Sequence, residues 1–114
     1  MVTEAQARKL ALSFPGAEER PHFDRKRYKV AGKRGVTFCT IGGGTLNIKI
    51  QPRERLYALL KDEPEIFIDL GGWMRMGFIG IRLSKIKAPY LKSLLEEAWK
   101  RVAGKRDLAA YSSD

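Results

Sequence analysis

The sequence predicts an α+β fold: a two-layer α/β sandwich in which helices cover one face of a mainly antiparallel five-stranded sheet, in the order α-β-β-β-α-β-β-α. Three observations predict it. Thr45 to Gln51 alternates strictly, with Leu46, Ile48 and Ile50 on one side and Asn47, Lys49 and Gln51 on the other, which is the period of a strand with one buried face. Leu91, Leu94, Leu95, Ala98 and Val102 recur at helical spacing near the end of the chain and form one apolar stripe flanked by Trp99. Short glycine-rich turns separate consecutive strand candidates, and strands joined that way run antiparallel.

The elements follow in order. Thr3 caps a first helix and Gln6 completes a capping box. Ala7, Leu10, Ala11 and Phe14 give that helix one buried face, and Pro15-Gly16 ends it. Residues 17–27 read as an irregular, exposed connection. Tyr28-Lys29-Val30-Ala31 is a short strand, Gly32 to Gly35 its turn, and Val36 to Ile41 a strand rich in β-branched and aromatic residues. Gly42-Gly43-Gly44 is the hairpin loop into Thr45–Gln51. Pro52 starts a short helix to Lys61 that turns Leu56, Leu59 and Leu60 inward. Ile66 to Asp69 is a brief strand, Gly71-Gly72 a break, and Met76 to Leu83 a strand with Ile79, Ile81 and Leu83 on one face. Pro89 opens the last helix, which Gly104 ends. One domain over residues 1–104 and a loose tail over 105–114 account for the chain.

Composition narrows the function classes. A chain of 114 residues can build a core without staples, and the single Cys39 excludes an internal disulfide. No apolar run reaches the roughly 18–20 residues of a membrane span, and the start of the chain has no secretory pattern, so a cytosolic protein is expected. The formal net charge of +9 favours polyanions as partners.

The chain resembles the small bacterial MmcQ/YjbR-like proteins. The residues that carry the likeness are Phe14-Pro15-Gly16, Tyr28-Lys29-Val30-Ala31-Gly32-Lys33, Leu46-Asn47-Ile48-Lys49-Ile50-Gln51-Pro52, Gly77-Phe78-Ile79-Gly80-Ile81 and Ala98-Trp99-Lys100-Arg101-Val102-Ala103. They span nearly the whole of residues 1–104. The resemblance implies a sandwich of the secretion-chaperone-like kind and a DNA-binding role, and it brings no catalytic residues. The segment Asp69-Leu70-Gly71-Gly72-Trp73-Met74-Arg75-Met76 departs from the histidine-lysine-tryptophan type of many members.

The chemistry legible in the residues is that of phosphate binding. Arg20, Arg25, Lys26, Arg27, Lys29, Lys33 and Arg34 crowd one stretch with Asp24 as the only acid within it, most of them in expected turns. By strand parity Asn47, Lys49 and Arg82 face away from the helices, with Met76 and Phe78 nearby. Cations meet phosphates and rings stack on bases, so this face is expected to bind DNA or another nucleic acid. The competing reading is an ordinary solvated face. A protein-interaction or chaperone-like adaptor is the alternative function, with Trp73 and Arg75 as its contacts, Trp73 being either an exposed ring or a lid folded back over the core. A monomer or weak dimer is expected.

Enzyme chemistry finds no constellation. Gly42-Gly43-Gly44-Thr45 precedes a strand and lacks the lysine of a phosphate loop. His22 beside Asp24 has no nucleophile to serve, and one histidine with one cysteine makes no ordinary zinc site. Glu18-Glu19 and Asp62-Glu63-Glu65 flank turns and are expected to be solvated, and Cys39 reads as a small core hydrophobe. No cofactor, metal or catalytic residue is expected.

Overall fold

A computed structural model describes residues 1–30 and 36–112. The order is α1 (Glu4–Leu12), β1 (Ala17–His22), β2 (Arg25–Val30), β3 (Thr37–Gly42), β4 (Thr45–Lys49), α2 (Arg53–Asp62), β5 (Phe67–Ile68), a 3-10 turn (Gly71–Met76), β6 (Phe78–Arg82), a second 3-10 turn (Leu83–Lys85), α3 (Ala88–Val102) and α4 (Lys105–Ser112). The described strands form one antiparallel sheet of six in the order β1-β2-β3-β4-β6-β5. The α+β sandwich is therefore as expected, with one strand more.

The extra strand is β1, within the stretch expected to be irregular, and β2 starts earlier than expected, at Arg25. The sequence Ala-Glu-Glu-Arg-Pro-His has no apolar alternation to betray it. It is an edge strand, and edges favour charges and tolerate proline, whose missing N–H is not needed on the open side. Arg20, Arg25, Lys26 and Arg27 consequently lie on strands rather than in turns. Lys33 and Arg34 fall outside the described residues.

Parity holds where the sequence alternates. Leu46, Ile48, Ile79 and Ile81 are buried under α1 and α3, together with Phe14, Phe38 and Trp99. A bulge interrupts the β2–β3 pairing: Tyr28 faces Cys39, but Lys29 faces Thr37. Phe38 and Cys39 thus both turn into the core, and burial pushes the Cys39 thiol far up from its usual range. The same bulge puts Thr37 and Thr40 on the opposite, outer face although they are three residues apart. The β3–β4 hairpin turns through Gly43 (φ 58°) and Gly44 (φ 78°), both in the left-handed region that the tight two-residue turn demands.

Thr3 and Gln6 form the expected capping box of α1. The helix is also tied to the sheet edge, because Glu19 accepts from Arg8 Nε at 2.6 Å and from the Tyr28 hydroxyl at 2.8 Å. The Arg8 bond first, and the Tyr28 bond second, hold the Glu19 carboxyl below its ordinary value near 4.5. A carboxylate depressed in the folded state stabilises above its unfolded pKa, and that contribution is lost as pH falls through the folded value. Urea midpoints are expected to decline below pH 4.5, and Glu19→Gln is expected to be less stable at neutral pH with a shallower acid decline. An equal acid slope in the two proteins would show that the pair carries no linkage.

Where a loose tail is expected, residues 105–112 form α4. Its Tyr111 packs on Trp99 and Phe14, with ring centroids 5.0 and 5.7 Å away, and its hydroxyl donates to Glu96 at 2.8 Å. The amphipathic signal of so short a helix is too slight to read without its partner surface.

Candidate functional site

The outer face of the sheet is the surface turned away from α1 and α3. Cross-strand register sets rows of side chains on it. One row runs Arg20, Arg27, Thr40, Asn47, Gly80 and Ile68, and a second contains Thr45 opposite Arg82. Lys29 pairs with Thr37, and Lys49 with Phe78. Gly80 lets Ile68 and Leu70 close over the far end of the row, since a Cβ there would stand 3.0 Å from Ile68 Cβ and 3.2 Å from Leu70 Cδ2. Leu70 leads into the 3-10 turn Gly71–Met76, which packs against β6 and forms a wall beside the open sheet.

That wall and the β1–β2 hairpin bound a groove of about 440 Å³. Trp73, Met76 and Phe78 line one side, His22, Arg25 and Arg27 the other, and Thr37, Thr40 and Asn47 the floor. Trp73 is 60% exposed and meets Phe78 edge to face at 6.5 Å. It is an exposed ring over the outer face and not a lid over the core, because Met74 takes the buried position of the turn instead. At the hairpin tip Phe23 is 96% exposed, with φ 57°, a left-handed conformation that bulky residues rarely adopt. Its ring lies 5.1 Å from that of His22.

The cations expected here divide into three sets. Arg25 is structural: its guanidinium donates to Thr40 Oγ1, Thr40 O, Gly42 O, Thr45 Oγ1 and Thr45 O at 2.8–3.1 Å, which knits three strands together. Burial lowers its pKa, but a guanidinium stays charged. Arg20 is paired with Glu18 at 2.9 Å, and Arg82 turns to the carbonyls of Pro64 and Phe67 at the β5 edge. Lys26 is corrected outright. It shares the parity of Tyr28 and Val30, opposite Ile41, so it emerges on the helix side of the sheet.

Arg27, Lys29 and Lys49 remain on the outer face with no ion pair among the described residues. The Arg27 Nε–H is buried and has no acceptor, a donor left open beside the groove. Arg75 follows Trp73 on the same turn and stands with Lys49 around a second concavity, to which Arg53 and Arg101 contribute.

Sequence reasoning brought Asn47, Lys49, Met76 and Phe78 to one face correctly. It missed His22, Phe23, Thr37 and Thr40, which need the unseen β1 and the bulge. It also missed Arg53, the first residue of α2, and Arg101, in the last turn of α3, because nothing along the chain links the two helix ends. Among the described residues no group of three or more His, Cys, Asp or Glu could hold a metal ion, and no helix is long and apolar enough to cross a membrane.

A family model described as YjbR matches residues 12–101. The chain belongs to the YjbR family. No curated protein matches it at a significant level. Among solved structures, the YjbR chain is similar to the crystal structure of Deinococcus radiodurans protein DR2400, a DUF419-domain protein, with TM-score 0.76 and 18% identity over 94% of this chain and 86% of that one. At that identity the likeness is one of fold. It extends through the sandwich that positions the outer face.

Proposed function

We propose that this YjbR protein is a binding module for single-stranded nucleic acid, without a reaction of its own, and that the outer sheet face is the binding surface. One observation carries the reading: the exposed Trp73 ring, edge to face on the half-buried Phe78, borders an open sheet face from which Arg27, Lys29 and Lys49 emerge with no ion pair among the described residues. Splayed bases can stack on the rings while the cations follow the backbone. Asn47, Thr37 and Thr40 add hydrogen-bonding groups between them. A duplex, whose bases already stack on each other, would leave the rings unused. The exposed, strained Phe23 at the hairpin tip fits the same use, since strain persists where a surface has a task.

The binding-only reading is supported by the lack of catalytic groupings among the described residues. Cys39 is buried with its thiol held protonated, and His22 lies against Phe23 in the groove wall with no nucleophile beside it.

Fluorescence anisotropy of an unphosphorylated, labelled oligothymidylate tests the proposal. Three phosphate contacts give a slope of about −2 in log K against log salt, from about −0.7 per contact on single strands. Trp73→Ala is expected to weaken binding about tenfold or more, the worth of one stacked base, and to leave that slope unchanged. A duplex of the same length is expected to bind more weakly. Salt-independent association, or equal affinity of wild type and Trp73→Ala, would turn the reading toward an acidic or apolar protein partner.

A further inference from the structure

The second concavity lies where four elements end. Lys49 closes β4, Arg53 opens α2, Arg75 stands on the 3-10 turn and Arg101 lies in the last turn of α3. Together with Gln51 and Gly77 they line a pocket of about 530 Å³. No carboxylate lines it. Lys49, Arg53 and Arg75 make no ion pair among the described residues. Arg101 is held in place: one Nη donates to Gln51 Oε1 and the other to Gln51 O, the latter at 3.0 Å, leaving three of its five N–H donors.

Four like charges gathered without a counter-charge repel one another and destabilise the free fold. A bound dianion relieves that repulsion, and two or three guanidinium forks suit the planar, bidentate recognition of a phosphate. A phosphomonoester carries about −1.5 to −2 at neutral pH, against −1 for an internal diester, so this pocket discriminates in favour of a terminal group.

The pocket and the groove adjoin. Met76 lines both, and Lys49 of the pocket is the direct cross-strand neighbour of Phe78 of the groove. We propose that the pocket is a phosphomonoester site, and that it receives the terminal phosphate of a nucleotide whose base lies in the groove. The nucleotide is either free or the phosphorylated end of a strand. The strand-end form rests on the nucleic-acid function proposed above; the phosphate site does not.

The test has two arms. In the first, thymidine monophosphate, thymidine and inorganic phosphate are titrated by calorimetry. The monophosphate is expected to bind at least tenfold more tightly than thymidine, and inorganic phosphate to compete with it. In the second, anisotropy compares oligothymidylates carrying a 5′-phosphate, a 3′-phosphate or neither, with a phosphorylated end expected to gain about tenfold. Arg53→Gln is expected to erase both preferences and to leave the unphosphorylated strand bound as before. The Arg53 side chain makes no hydrogen bond or ion pair among the described residues, so this variant keeps the fold, and Arg101→Gln with a thermal melt provides the check. Phosphate-dependent binding of the monophosphate without any strand binding would uphold the pocket and overturn the nucleic-acid reading. Equal affinity for phosphorylated and unphosphorylated ligands in both arms would overturn the pocket and leave that reading standing.

Discussion

Trp99→Ala is expected to cost about 3–5 kcal/mol of stability, the range for deleting a large buried aromatic. Trp99 is fully buried near the end of α3, and three independent features meet on it. Its ring stacks on Phe14 with centroids 5.3 Å apart, and Phe14 in turn meets Phe38 edge to face at 6.5 Å. Its indole N–H donates to the Pro15 carbonyl at 3.0 Å, which fixes the turn out of α1. Tyr111 of α4 closes over it from outside. Truncation would open a cavity, strip the Pro15 carbonyl of its donor and remove the surface on which α4 docks. Domains of this size are stable by only about 5–15 kcal/mol, so the variant should lose a large share of its folded margin. Urea unfolding followed by far-ultraviolet circular dichroism measures it. Trp99→Phe, which keeps a ring and loses the hydrogen bond, is expected to fall between the two proteins. A loss below about 1 kcal/mol for the alanine variant would mean that the core does not centre on this residue.

Lys29→Glu with Lys49→Glu is expected to weaken binding of an unphosphorylated oligothymidylate about a hundredfold at 50 mM salt. Each lost contact removes a slope of about 0.7, near tenfold at that concentration, and two carboxylates add repulsion. The salt slope should flatten from about −2 toward −1 or less. Both lysines stand on the outer face outside any ion pair among the described residues, so the thermal melt should stay close to wild type. The converse control is Lys26→Glu, on the helix side of the sheet, which should change affinity little. Equal losses from Lys26 and from the Lys29/Lys49 pair would mean that net charge alone attracts the strand, and no particular face.

The two variants probe opposite sides of one sheet, and that division is largely legible in the sequence. The strict alternation of Leu46, Ile48 and Ile50 against Asn47 and Lys49 dictates which way β4 faces, because a strand's side chains alternate whatever surrounds them. The Ile79–Ile81–Leu83 pattern does the same for β6, and the stripe ending at Val102 for α3. The glycine pair at 43–44 marks its turn because few other residues tolerate two successive positive φ values.

Other features were illegible for equally physical reasons. β1 is polar on both faces, so periodicity is silent about it; it exists because β2 offers it an edge to pair with. The bulge opposite Tyr28/Lys29 inserts Phe38 into β3 and so sends Thr37 to the same face as Thr40, and no local residue pattern announces it. Arg25 looked like a free cation, yet five acceptors converge on it from strands that the turn at Gly43–Gly44 folds back. The four-cation pocket draws on residues 49, 53, 75 and 101, which only the packing of β4, α2, the 3-10 turn and α3 brings to one place. By itself the sequence determined the α+β class, the buried side of its central strands and the excess of positive charge, because these follow from backbone periodicity and composition. Only the tertiary structure decided which cations remain unpaired and which share a surface, because a charge's partners are set by distance in space and not by distance along the chain.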